Sequence, residues 1–170
     1  MPLASLLQRI DRATARPLAV GADLLDLAIR LYVAKAFFFS GLTKVRDWSS
    51  TLALFQDEYH VPLLPPHVAA FAGAFGELAF PVFLVLGLGT RFAALGLIVV
   101  NAVAVISYWR VLSTLEPALA QHAYWATLLL VILFHGPGRI ALDVFLARTT
   151  HAPRTIDALH ASTGARSSHG

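Results

Sequence analysis

The residues of this sequence with chemical capacity stand where an apolar chain should hold none. Asp26, Arg30 and Lys35 interrupt one long apolar stretch; Glu77 lies at the centre of a second, Asn101 in a third and Thr127 in a fourth. An ionised side chain facing lipid costs about 3 kcal/mol or more, so such residues turn toward a protein interior or a wet cavity and pair there. A carboxylate and an ammonium at membrane depth can relay a proton and hold a developing oxyanion. Pro81 adds to Glu77. A proline inside a helix has no N–H, so the carbonyl four residues earlier, that of Glu77 itself, loses its donor. A carboxylate beside a free carbonyl also suits a proton or cation path.

These residues need elements to hold them, and the composition says which. Only 14% of the 170 residues are charged and 57% are hydrophobic, with a mean hydropathy of +0.67. A soluble domain carries about 25% charged residues to solvate its surface. Four apolar segments, at about 24–42, 67–88, 92–109 and 118–135, have the length a bilayer core demands. The expected fold is an all-α membrane protein, a four-transmembrane-helix bundle, spanning residues 23–146. Residues 1–22 form a basic cytoplasmic lead-in, either amphipathic on the membrane or unstructured, without the uninterrupted apolar core of a signal peptide. Residues 147–170 read as a disordered cytoplasmic tail. In the connection 43–66, Trp48, Leu52 and Phe55 recur at helical spacing and predict a short interfacial helix. Pro117 begins the fourth helix and Gly136-Pro137-Gly138 stops it, before a short amphipathic piece over 140–146.

Orientation follows from the basic residues. Arg9, Arg12, Arg16, Arg91, Arg139, Arg148, Arg154 and Arg166 fall on one side, against Lys44, Arg46 and Arg110 on the other. Eight against three places both termini in the cytoplasm and the 43–66 connection outside. At about 1.5 Å per residue, Lys35, Glu77 and Asn101 lie roughly 15–18 Å deep, and Thr127 is level with them. Opposite charge at matched depth predicts a Lys35–Glu77 pair, with Asn101 and Thr127 completing a buried polar site. Asp26 and Arg30, four residues apart, predict an ion pair on one helix face. For both constellations the alternative is polar glue that fixes helix register.

Several functions are excluded or left without support. The chain has no cysteine, hence no disulfide, thiolate metal site or iron–sulfur ligation. Phosphate loops, nucleophile elbows and zinc-protease motifs are absent. The excess positive charge flanks apolar segments and points to topology, not to nucleic acid. His60 and His67, seven residues apart across prolines, do not make a metal site, and His122 beside Tyr124 and Trp125 reads as part of an interfacial aromatic belt. No flavin, haem or metal motif is present, and no cofactor is evident from the residues themselves.

The order of the motifs is itself informative. Arg30, then Phe38-Phe39-Ser40-Gly41-Leu42-Thr43-Lys44, Glu77-Leu78-Ala79, Gly87-Leu88-Gly89-Thr90-Arg91, Gly136-Pro137-Gly138 and Asp143 together resemble the DoxX family of small bacterial inner-membrane proteins. The likeness covers roughly 24–145. It implies a four-helix membrane bundle and marks Arg30, Lys44, Glu77, Arg91 and Asp143 as the family-like polar positions; Lys35 is not among them. The stretch 55–66 is similar to a subgroup encoded beside metal-responsive peptide-modification proteins. The family's name comes from a thiosulfate:quinone oxidoreductase subunit, and other members are linked to oxidative-stress complexes.

The function expected is therefore an accessory membrane subunit supporting a redox or metal-stress pathway through a quinone or another lipid-soluble carrier, with electrons supplied by a partner. Whether the chain is itself an enzyme is open, since no catalytic motif is visible. A scaffold docking a protein partner on the 43–66 loop is the second expectation. A small proton- or ion-coupled transporter is the third, and with so few spans it would require a homo-oligomer in the bilayer.

Overall fold

The computed structural model describes residues 3–150, with side chains described over 13–147; the expected tail beyond Thr150 lies outside them. Among the described residues every regular element is helical: α1 (Leu3–Arg46), α2 (Trp48–Asp57), α3 (Pro66–Leu86), α4 (Thr90–Ser107), α5 (Trp109–Leu112), α6 (Glu116–His135) and α7 (Leu142–Thr150). α1 packs on α3, α3 on α4, α4 on α6, and α6 closes on α1, while α2 lies against the first half of α3.

α1 departs most from expectation. It runs 44 residues through Pro17 with no break, so the lead-in and the first apolar segment are one helix. The buried positions of its packed face, Arg30, Val33, Ala34, Phe37 and Gly41, recur every three or four residues, the signature of a single face. Val33, Ala34 and Phe37 join Leu84, Leu97, Leu129 and others in the main core. Gly41 sets the spacing. A Cβ added there would lie 2.9 Å from both Glu77 Cβ and Leu78 Cγ, so only glycine lets α1 approach α3 this closely.

The ends of the helices obey local chemistry. Asp47 caps α2, its Oδ1 accepting the Ser50 N–H at 3.1 Å, and Ser50 and Ser49 hold its carboxyl below the usual carboxylate range. α3 closes on Gly87 (φ +68°). The N–H of Gly87 donates to Leu84 and that of Leu88 to Phe83, a left-handed cap in which glycine carries no steric penalty. α6 starts with proline in its first turn and ends at Gly136.

α3, α4 and α6 are each long and apolar enough to cross a membrane. Their outer faces carry Phe71, Phe75, Phe92 and Phe134, each at least 60% exposed. Aromatic rings held outward in this number suit hydrocarbon and not water. The chain is a multi-pass helical membrane protein.

Candidate functional site

The polar side chains gather in two places. The first is the end formed by the α3–α4 turn and residues 136–143. Arg30 is 1% exposed, and its guanidinium donates to the carbonyls of Leu84 and Ile140. The Asp143 N–H donates to the Gly87 carbonyl at 2.9 Å. Its carboxylate in turn accepts the N–H groups of Gly89 (2.8 Å) and Thr90 (3.1 Å) and the Thr90 hydroxyl. Those are free donors at the start of α4, where negative charge is favoured. Partial burial works against the charge on Asp143, but these donors and the nearby Arg30 outweigh it and hold its pKa below the ordinary carboxylate range. Asp23 accepts the Arg139 N–H at 3.0 Å. Arg91 lies over Gly136, where an added Cβ would sit 3.2 Å from Nη2.

The expected Asp26–Arg30 ion pair is corrected here. Asp26 stands 3.6 Å from His135 Nδ1 and acts on Arg30 only through its field. Arg30 instead turns its two terminal nitrogens to backbone carbonyls, that of Leu84, which also accepts the Gly87 N–H, and that of Ile140 ahead of α7.

The second place is a cavity of about 590 Å³ between α3 and α4, lined mainly by apolar side chains such as Phe80, Val99 and Val103. Its polar wall is an ion pair: Lys44 Nζ lies 2.7 Å from Glu77 Oε2 and donates also to Ser40 Oγ at 3.0 Å. Tyr59 and Tyr108, edge to face at 4.7 Å, line the cavity toward the α2 side. Tyr108 donates to Glu58, and the His60 N–H donates to the Ser107 carbonyl. Burial raises the pKa of Tyr59, so its phenol stays neutral. On a further wall stands His122, whose Nδ1 is 2.8 Å from Asn101 Oδ1. Asn101 Nδ2 donates to the His122 carbonyl.

The buried polar site expected from matched depth is thus only partly assembled. Glu77 is buried, but its partner is Lys44 and not Lys35. Lys35 is exposed, off the packed face of α1. The reason is directional. A lysine on a helix points back toward the N-terminus, so Lys44, one turn beyond Ser40, reaches down to the level where Gly41 lets Glu77 approach. Lys44, an outside charge by its position in the sequence, thus returns its ammonium to Glu77. Asn101 is buried but holds His122. Thr127 is exposed and bonds only its own helix, at the Ala123 carbonyl; it belongs to neither cluster. The Ser40–Lys44 spacing and the family-like standing of Lys44 were the signals available in the sequence, and His122 had none stronger than its neighbours in the aromatic belt.

An all-helical membrane protein with a carboxylate–lysine pair beside an apolar cavity is the class these features define. The sequence profile named DoxX matches residues 25–109, and the chain belongs to the DoxX family. An uncharacterized protein of Haemophilus influenzae is 28% identical to it over 138 residues, 76% of this chain and 87% of that protein. No solved structure matches. All five family-like polar positions fall in the two clusters: Arg30, Arg91 and Asp143 at the α3–α4 turn, Lys44 and Glu77 on the cavity.

Proposed function

We propose that this DoxX-family protein binds a lipid-soluble carrier of the quinone class in the cavity between α3 and α4, as a four-span accessory subunit of a redox or oxidative-stress pathway in the bacterial inner membrane. The observation that carries the reading is the pairing of an apolar cavity of about 590 Å³ with the Lys44–Glu77 ion pair on its wall. Pockets for small molecules are mostly apolar with a few placed polar groups. The ammonium of Lys44 can hold a carbonyl oxygen and stabilise it as negative charge develops, while Glu77 can exchange a proton with it. α1 serves as the fourth span because the charges on its packed face, Arg30 and Lys44, find partners within the protein. Lys35 remains exposed on its outer side. The excess of arginines at the α3–α4 turn and both chain ends supports termini in the cytoplasm.

The test is purification with extraction of bound quinone, followed by titration of decylubiquinone into wild type, Glu77→Gln and Lys44→Met. Binding weakened in both variants, with Lys35→Met behaving as wild type, is the expected pattern. Equal binding in all, or binding in none, defeats the reading. One observation favours docking of a protein partner as a second role. Leu63, at the tip of the 58–65 connection, is fully exposed and has φ +68°, a strained backbone for a non-glycine residue. Partner recovery unaffected by Leu63→Asp in a pulldown would count against it.

A further inference from the structure

We infer that His122 is the hydrogen-bond acceptor for a hydroxyl on the cavity's ligand, so that the site favours a phenolic, hydroquinone-like molecule over its carbonyl counterpart. This rests on the cavity reading above and assigns the wall that the Lys44–Glu77 pair does not cover.

Asn101 fixes which nitrogen of His122 carries the proton. Its two side-chain atoms are both committed: Nδ2 donates to the His122 carbonyl at 3.1 Å, and Oδ1 faces His122 Nδ1 at 2.8 Å. A backbone carbonyl can only accept, so the amide cannot be turned round without losing that bond. An amide oxygen can only accept, so Nδ1 must carry the proton. In a neutral imidazole the other nitrogen is then a bare lone pair. Asn101 is buried at 4% exposure and does not line the cavity, whereas His122 does. The ring edge away from Asn101, which carries Nε2, is therefore the edge offered to the ligand. Trp125 packs edge to face on the imidazole, centroids 5.2 Å apart, and limits its rotation. The cavity is thus complementary in its polar groups. Lys44 donates on one wall, as a carbonyl or phenolate oxygen needs, and His122 accepts on another, as a hydroxyl needs. A fully oxidised quinone has no hydroxyl to give His122; a hydroquinone has one to give and an oxygen left for Lys44.

Decylubiquinol and decylubiquinone, titrated separately against the full chain in lipid nanodiscs by tryptophan fluorescence, test the assignment. Wild type should hold the reduced form about fivefold more tightly, the worth of one neutral hydrogen bond. His122→Phe should bring the ratio of the two affinities to about one, and His122→Gln, whose amide oxygen can accept, should restore part of the preference. Nitrogen NMR of the wild-type histidines gives a readout free of any variant: His122 should show a protonated Nδ1 and an unprotonated Nε2, and Asn101→Leu should shift it toward the opposite tautomer. An Nε2–H signal in wild type, or a preference for the reduced form that survives in His122→Phe, overturns the proposal. Equal affinity for both forms in wild type overturns it while sparing the cavity reading; binding of neither form defeats both.

Discussion

Removing one member of the Lys44–Glu77 pair, and then both, separates a structural clamp from a ligand site. At 2.7 Å and an effective dielectric of about 20, the Coulomb attraction is about 6 kcal/mol, and most of it is offset by the several kcal/mol that each ion loses on leaving water. The net worth of the pair is small, but the cost of stranding one partner is not. Glu77→Gln leaves an ammonium beside an apolar cavity. Breaking a buried pair this way costs about 3–5 kcal/mol, and the Lys44 side chain, 20% exposed, places the loss near about 3 kcal/mol. For a chain of this length that corresponds to a fall in melting temperature on the order of 10 °C. Lys44→Met should cost less, because Glu77 can take up a proton and become neutral. The double variant Lys44→Met/Glu77→Leu strands nothing and should recover stability to within about 1 kcal/mol of wild type, yet bind decylubiquinone no better than the singles. Thermal unfolding in detergent by tryptophan fluorescence, with quinone titration alongside, measures both. A double variant as unstable as Glu77→Gln would refute the stranded-charge argument. One that is stable and still binds normally would reduce the pair to helix glue.

Three other perturbations follow from the same geometry. Gly41→Val forces a Cβ to within 2.9 Å of Glu77 and Leu78, so thermal unfolding should show a loss of about 1–3 kcal/mol from overpacking, with quinone binding falling as α1 is pushed off α3. Lys35→Leu removes an exposed charge that holds no partner in either cluster; it should leave quinone binding unchanged and stability equal or higher, and a loss of binding would reinstate Lys35 in the site. Asp143→Asn removes the charge from the α4 start and should cost about 1 kcal/mol at neutral pH. Because the folded pKa of Asp143 is depressed, its contribution is fully present above the unfolded value of about 3.9 and disappears as pH falls through the lower folded value. The difference in melting temperature between wild type and Asp143→Asn should therefore be constant from pH 7 to about 5 and close toward zero in stronger acid; a gap that widens on acidification would contradict the assignment.

Much of the fold was legible in the sequence because the relevant signals are local. Runs of apolar residues, Pro117 at a helix start, and Gly87 and Gly136 at helix ends delimit α3, α4 and α6 to within a few residues, since hydropathy and backbone allowance depend on the residue itself and its near neighbours. The same logic found α2 from Trp48, Leu52 and Phe55. It also marked Glu77 and Asn101 as residues that lipid would not tolerate. Partnership was another matter. Depth along a straight helix matched Lys35 to Glu77, but which lysine meets a carboxylate depends on helix rotation, on the closeness Gly41 permits, and on a side chain that points back along its own helix. Those quantities exist only once α1 is seated on α3. Likewise nothing local to His122 links it to Asn101, twenty-one residues away on α4, and nothing local to Asp143 announces that it caps a helix fifty-three residues earlier. The sequence by itself determined that this chain lives in a membrane and which charges must be hidden there; the tertiary structure alone decided with whom each is hidden, because pairing is a property of packed surfaces and not of position along the chain.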